Sequence, residues 1–352
     1  NGTYRENLIL DKSIILDANS SAIIDGMGGY CINVTANNSL IKDISVDNTS
    51  TGTGVGIWVY NSSYVINNVT LDSVIANDSS TAIAVDNANF CNITNCTIEN
   101  SHAGIAFGFG TVQGIIPSSY CTNCNISYNT IRNITSQPAG IFFYNSSECQ
   151  IYDNTIYNIT NSSSAGIYLH TSCINNNISS NIVHNASIAG LVLHSSSCSN
   201  NITHNHFYYN SWGIYAQVSS NENNISSNHI YDNSNSGILV QLSSNGTTIN
   251  SNHIYNNTVG IKIYSSSNNN NLSENTVENN SDYGIYLQSY SSHNNLTNNE
   301  CHNNSNYDIF LNEGCNYNIL SANNCTSSSG SIGIYIDDGT DAIDIDCEHN
   351  TL

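Results

Sequence analysis

Histidines recur at a fixed register in this chain. His206, His229 and His253 follow one another at steps of 23 and 24 residues, and His170 and His194 are 24 apart. Imidazoles repeating in this way could bridge a transition metal such as Zn²⁺ or Cu²⁺. Three ligands in a straight row suit a tetrahedral ion badly, however, and no Cys or carboxylate completes the set. A structural stack on the surface is the better reading. A second candidate is the acidic group Asp337, Asp338, Asp341, Asp344 and Asp346 near the C-terminal end. Oxygen ligands of this kind could hold Ca²⁺, but a merely solvated acidic end is the better reading, and no other cofactor is expected.

Catalysis by general acids and bases needs groups converging on one bond. Arg132 and Lys262 fall on different repeats with no acidic partner at a matching register, and Ser, Asn, Thr, Gln and Tyr dominate the outward positions around them. No catalytic residue is assigned, and the expectation is a protein that is not an enzyme.

Aromatic residues form another row: Trp58, Phe142, Tyr168, Tyr215, Tyr286, Phe310 and Tyr335. Large rings on one face of a monomer mark an interaction surface. Burial by a neighbouring copy is favoured over stacking of sugars or shielding by glycans. Cysteines keep register as well. Cys124, Cys149, Cys173 and Cys198 are spaced 25, 24 and 25, and Cys301 and Cys325 by 24. Equivalent positions in adjacent coils lie about 5 Å apart, within disulfide reach, so Cys124–Cys149, Cys173–Cys198 and Cys301–Cys325 are the expected rungs. Each would close a loop worth about 3 kcal/mol in the chain-entropy account. Cys31, Cys91, Cys96, Cys121, Cys315 and Cys347 cannot be paired from sequence, and some could bridge subunits.

These registers come from internal repetition. A small residue followed by an aliphatic one recurs at Gly56-Ile57, Ala82-Ile83, Gly104-Ile105, Gly140-Ile141, Gly166-Ile167 and Gly190-Leu191, then at Gly213, Gly237, Gly260, Gly284, Asp308 and Gly333. From Gly166 onward the spacings are 23 to 25 residues; the step from Gly104 to Gly140 is 36 and implies an insertion near 109–121. Each anchor opens a short alternating strand, with Ile167 and Leu169 on one face and Tyr168 on the other. A second element follows as Asn-Ile-x-x-Asn-x-Ile, and its second Asn returns at Asn129, Asn154, Asn181, Asn205, Asn228, Asn252, Asn275 and Asn299. Such an Asn suits a tight inward corner in a left-handed or bridge conformation, and stacked copies can join amide to amide. Strands of three to five residues without a 3.6-residue period exclude a helical solenoid. The fold expected is all-β: one right-handed parallel β-helix over 1–352, single-stranded and three-sided, with about 24 residues per coil.

Composition bounds the partners. The chain has 352 residues and a formal charge of −21, with only five Lys and Arg. No basic stripe for a phosphate backbone can be assembled, which excludes nucleic acid. No apolar run is long enough to span a bilayer. The sequon Asn-x-Ser/Thr occurs about 26 times from Asn1 and Asn19 onward, and the expected glycosylation sites include Asn33, Asn48, Asn61, Asn68, Asn77, Asn92 and Asn125. It returns at Asn133, Asn145, Asn158, Asn177, Asn185, Asn201 and Asn224, and again at Asn245, Asn256, Asn271, Asn279, Asn295, Asn303 and Asn324. A chain this rich in Asn, Ser and Thr makes sequons by chance. With 12 Cys they nonetheless favour a secreted, oxidising setting in which N-linked glycans supply solubility.

The opening Asn1-Gly2-Thr3-Tyr4-Arg5-Glu6, then Ile23-Ile24-Asp25-Gly26 and the Gly-Ile coils, resemble the parallel β-helix repeat family typified by the copper-accessory protein NosD. Sequon-rich versions are similar to surface and sheath proteins of methanogenic archaea. The resemblance covers essentially the whole chain and is specific for fold. It is weak for function, because the same repeat serves polysaccharide lyases, epimerases, adhesins and phage tailspikes. The chain begins inside the opening motif and stops partway through a coil at Glu348–Leu352. Open solenoid ends favour stacking on another copy, with missing flanking segments as the alternative. The leading expectation is an extracellular, glycosylated and disulfide-stabilised structural protein of the cell surface that polymerises with itself into a filament, sheath or layer. The alternative is a carbohydrate-binding or polysaccharide-cleaving β-helix of adhesin or lyase type, and a copper-handling role comes third.

Overall fold

The computed structural model describes residues 2–19, 22–48, 54–108, 120–326 and 331–337. The chain divides into two compact units, Asn1–Ser187 and Ile188–Leu352. Each is a right-handed parallel β-helix with about 24 residues per turn, and the described residues contain no helix.

Every turn contributes one strand to each of three sheets. In the second unit the first sheet runs through His206–Tyr208, His229–Tyr231, His253–Tyr255, Thr276–Glu278, Glu300–His302 and Asn324–Thr326. The second sheet runs from Asn201–Thr203 to Ile319–Ser321, and the third from Ala189–His194 to Ile332–Ile336. Pairing is parallel and in register, as in Ile225↔Ile249 and Ile261↔Ile285. The first unit repeats this plan. There Ile105 pairs with Ile141, so the third sheet keeps its register across the 36-residue step. Residues 109–119 of the expected insertion lie outside the described residues.

The three-residue strands of the first two sheets place only their middle side chain inward. Ile202, Ile225, Ile249, Leu272 and Leu296 therefore stack into one fully buried column, and Ile126, Ile151 and Ile178 do the same in the first unit. Each such side chain stabilises by about 1.5–3 kcal/mol through burial. Phe107 and Phe143 meet inside the first unit with ring centroids 4.8 Å apart.

Amide ladders hold the corners. Asn228 Nδ2 donates to Asn252 Oδ1 at 3.0 Å, Asn252 to Asn275 at 3.0 Å, and Asn275 to Asn299 at 2.9 Å. The sequence pattern marked this column, yet two more exist in the second unit. One includes Asn270, Asn294 and Asn318; the other runs Asn210, Asn233, Asn257, Asn280, Asn304. The left-handed conformation expected at the ladder Asn falls instead on the residue before it: Tyr128 and Asp153 in the first unit, Ser227, Ser251 and Glu274 in the second, with φ between 54° and 57°. With the turn one residue earlier, the Asn side chain is buried while its own N–H donates to the next Oδ1.

Candidate functional site

On the third sheet of the second unit, strands Val259–Tyr264, Tyr283–Gln288, Tyr307–Leu311 and Ile332–Ile336 turn aromatic side chains outward. The register pairs Lys262 with Tyr286, Tyr286 with Phe310 and Phe310 with Tyr335; Tyr283 faces Tyr307 at the first position of each strand. Because successive strands are in register, these rings stack. Tyr286 and Phe310 lie 5.0 Å apart at 6°, Tyr283 and Tyr307 5.8 Å apart at 8°, and Tyr307 and Tyr335 5.0 Å apart at 13°. Tyr286 and Phe310 are each 7% exposed, covered by Tyr283 and Tyr307, while Tyr335 is 38% exposed.

Polar groups edge this pavement. Lys262 Nζ sits 4.9 Å from the ring centroids of both Tyr264 and Tyr286. Burial lowers the Lys262 pKa from its ordinary value, and the negative charges of Glu313 and Asp282 oppose that shift. Glu313 accepts from Ser289 Oγ at 2.5 Å and Gln288 Nε2 at 2.9 Å, and these hydrogen bonds hold its carboxyl below the usual range. Burial raises the Tyr286 phenol above the ordinary tyrosine value. Two coils back, Gln241 Nε2 donates to Tyr215 Oη at 2.5 Å. Flat rings flanked by amides, a carboxylate and one amine match what a sugar presents: apolar C–H faces and ring-edge hydroxyls.

The first sheet carries the histidines. His206 and His229 stack with centroids 4.9 Å apart and planes at 5°, and His253 meets His229 edge-on at 5.7 Å. His253 Nε2 lies 2.9 Å from Glu278 Oε1. Beside them Tyr208, Tyr231 and Tyr255 stack at 4.9 and 5.0 Å. Ring nitrogens point within their ring planes, so stacked imidazoles cannot converge on one ion. Among the described residues no group of three His, Cys, Asp or Glu is placed to hold a metal.

A sequence profile of right-handed β-helix regions matches residues 139–300 and 199–352. This chain belongs to the right-handed β-helix family. No curated protein matches this β-helix in sequence. Among solved structures it is similar to the tailspike protein of E. coli bacteriophage HK620, solved as a mutant in complex with a pentasaccharide (TM-score 0.64, 11% identity, 91% of this chain and 71% of that one). It is also similar to a mutant of the periplasmic alginate epimerase AlgG (0.54, 15%, 83% and 75%) and to the A-module of the Azotobacter vinelandii mannuronan C-5 epimerase AlgE4 (0.51, 14%, 100% and 89%). At these identities the likeness is one of fold. The match is to the β-helix family as a whole.

The expectation of a non-enzyme is corrected: the fold neighbours of this β-helix include epimerases, which are enzymes. One of its premises fails on geometry too. Arg132 does have an acidic partner in register, Glu99, with Nη2 2.5 Å from Oε2.

Other expected residues of the β-helix find varied places. In the aromatic row, Phe142 is 3% exposed and packs against Tyr144 and Tyr168, and Trp58 stacks on Tyr60 at 4.8 Å while donating to Asp86. The row is interrupted where Ala84, Ala106 and Leu239 occupy the same register. Its most covered rings face the chain's own side chains. Tyr283 and Tyr307, which the sequence reading passed over, are signalled by a Tyr at or just before the anchor.

Of the five aspartates expected to bind Ca²⁺, Asp337 alone is described, with its N–H on the Leu311 carbonyl at 2.9 Å; Asp338, Asp341, Asp344, Asp346 and also Cys347 lie outside the described residues. The other eleven cysteines are thiols here. The Cys124 N–H donates to Cys149 Sγ at 3.4 Å, and Cys301 and Cys325 are register partners. Cys91 extends the first column, its N–H donating to Cys124 Sγ at 3.4 Å. Cys173 belongs to the first unit and Cys198 to the second.

The sequons fall into columns. Asn201 and Asn224, like Asn271 and Asn295, stand outward at strand starts and join amide to amide at 2.7 and 3.0 Å. Asn133, Asn158, Asn185, Asn256, Asn279 and Asn303 take left-handed turns, with φ of 54° to 57°. Asn48 is 1% exposed, and its Nδ2 donates to the Gly29 carbonyl at 2.8 Å. A glycan has no room there in the folded protein.

Proposed function

We propose that this β-helix binds and acts on an extracellular polysaccharide held along the outward face of the third sheet of the second unit. The observation that carries this reading is the ring pavement of Tyr283, Tyr307 and Tyr335 laid over Tyr286 and Phe310 and edged by Lys262, Gln288 and Glu313. Stacked rings offer a long apolar ridge, and the amides and charged groups beside it can take up sugar hydroxyls. The neighbouring epimerases and the pentasaccharide-bound tailspike lend support from fold alone. A self-assembling surface layer has less to stand on, since Phe142, Tyr286 and Phe310 are already covered within the chain. The absence of any long apolar helix among the described residues is compatible with secretion.

Affinity electrophoresis against a panel of neutral and acidic polysaccharides tests the reading, with product analysis of each retarding polymer. Wild-type protein is expected to be retarded, and Tyr283→Ala and Tyr307→Ala each to weaken retardation by roughly two- to tenfold, the worth of one ring contact. Absence of retardation by every polymer, or a double variant indistinguishable from wild type, overturns it.

A further inference from the structure

Lys262 is the one Lys or Arg between Ile188 and Leu352. It stands on the ring pavement, its Nζ 4.9 Å from the centroids of Tyr264 and Tyr286. No carboxylate forms an ion pair with it among the described residues, although Glu313 and Asp282 are close enough to be felt. The Glu313 carboxylate is engaged elsewhere, each oxygen taking a hydrogen bond from Gln288 or Ser289. A half-buried ammonium held only by ring faces is poorly compensated for its lost water. Cation–π contact returns about 0.5–2 kcal/mol, less than a charge-assisted hydrogen bond to an anion adds in partial burial.

The surroundings limit what that anion can be. A net charge of −21, with Glu313 and Asp282 beside the site, repels a chain that bears a charge on every sugar. A single amine can neutralise a single acid. Neutral sugars on either side would meet the rings and amides already described.

We infer that Lys262 receives the carboxylate of one uronic acid residue in an otherwise neutral polysaccharide, the strand continuing over Tyr283 and Tyr307. This inference rests on the polysaccharide reading and specifies its substrate class. Charge density, not backbone identity alone, then decides which polymers bind.

The test uses the full chain and a neutral glucan, galactan and mannan, each untreated, sparsely oxidised to uronate at C6, and fully oxidised. Sparse oxidation of the preferred backbone is expected to tighten binding about tenfold, the worth of one partly exposed charge-assisted contact. The gain should shrink as salt rises and vanish on full oxidation. Lys262→Met should erase the difference between untreated and sparsely oxidised polymer, Lys262→Arg should keep it, and Glu313→Gln should enlarge it. Equal binding of untreated and sparsely oxidised polymers overturns the inference while leaving the polysaccharide reading standing. So does tightest binding of the fully oxidised polymer, or an undiminished gain in Lys262→Met, which would leave the amine as a strut between two rings. Binding to no polymer removes both readings.

Discussion

The guanidinium of Arg132 lies against the carboxylate of Glu99 on the neighbouring strand, Nε 2.8 Å and Nη2 2.5 Å from the same oxygen, Oε2. Arg132 Nη1 also donates to Tyr157 Oη at 3.2 Å, so one cation ties three successive coils of the first sheet. Glu99 and Arg132 are register partners although 33 residues separate them.

The amide ladder should be strongly coupled to stability. Asn252 accepts from Asn228 through both N–H and Nδ2, and donates onward to Asn275 and to the Ile225 carbonyl. Asn252→Ala orphans several buried groups and is expected to cost at least about 2 kcal/mol, since each unmet buried partner costs about 1–3. The outward Asn250→Ala should stay within about 0.5 kcal/mol. Urea titration of both variants checks the contrast.

Gly237 marks a point of close approach between coils. A Cβ there would stand 2.6 Å from Ile254 Cγ2 and 2.8 Å from the Gly260 carbonyl oxygen. Relief requires the neighbouring coil to shift, so Gly237→Ala should destabilise by about 1–3 kcal/mol, as overpacking does. Thermal melting reads the loss, and an unchanged melting temperature would refute the close approach.

Lys262 should trade stability for binding. Burial depresses its pKa, so between the folded and unfolded values the unfolded chain holds more protons, and stability rises with pH across that window. Lys262→Met should therefore melt above wild type at neutral pH, with the gap closing as pH climbs toward the lysine's ordinary 10.5. Partial exposure keeps the shift small. Melting curves from neutral to strongly alkaline pH check the sign.

The buried thiols should resist alkylation. Burial pushes Cys96 up to about 12, and Cys31 likewise, leaving both protonated at neutral pH. Iodoacetamide is expected to spare Cys31 and Cys96 in native protein and to label them in denaturant. Mass spectrometry before and after reduction also shows whether Cys124–Cys149 and Cys301–Cys325 are bonded in material from an oxidising compartment, since bonded cysteines label only after reduction.

Periodicity made the coils readable: an inward Ile at each strand centre and a corner Asn are dictated by alternation and burial, and both survive in single-sequence form. The same alternation explains the sequons. In Asn-Ile-Ser or Asn-Ile-Thr, as at Asn201 and Asn224, an outward amide, an inward aliphatic and an outward hydroxyl happen to spell a glycosylation signal. What stayed hidden depended on neighbours in space. The Glu99–Arg132 pair escaped notice because its step exceeds the usual coil length. The aromatic row was legible as a row, but that Tyr283 and Tyr307 would roof Tyr286 and Phe310 requires knowing that two outward positions of one strand lean together. The second and third ladders were obscured because Cys, Thr and Ser share their columns with Asn.

In the second unit the amide-to-amide bonds of the ladders all run one way, each Nδ2 donating to the Oδ1 of the following coil. Their dipoles therefore add head to tail, giving each column a polarity akin to that of an α-helix. The third column terminates on a carboxyl group: Asn304 Nδ2 donates to Asp308 Oδ1 at 2.8 Å, at the electropositive end. The row Asn210, Asn233, Asn257, Asn280 and Asn304 thus ends on a buried carboxyl four residues further along the chain. An engineer lengthening this solenoid by duplicating coils would have to insert them upstream of Asp308, in the same sense, or leave a polarised column without its terminator.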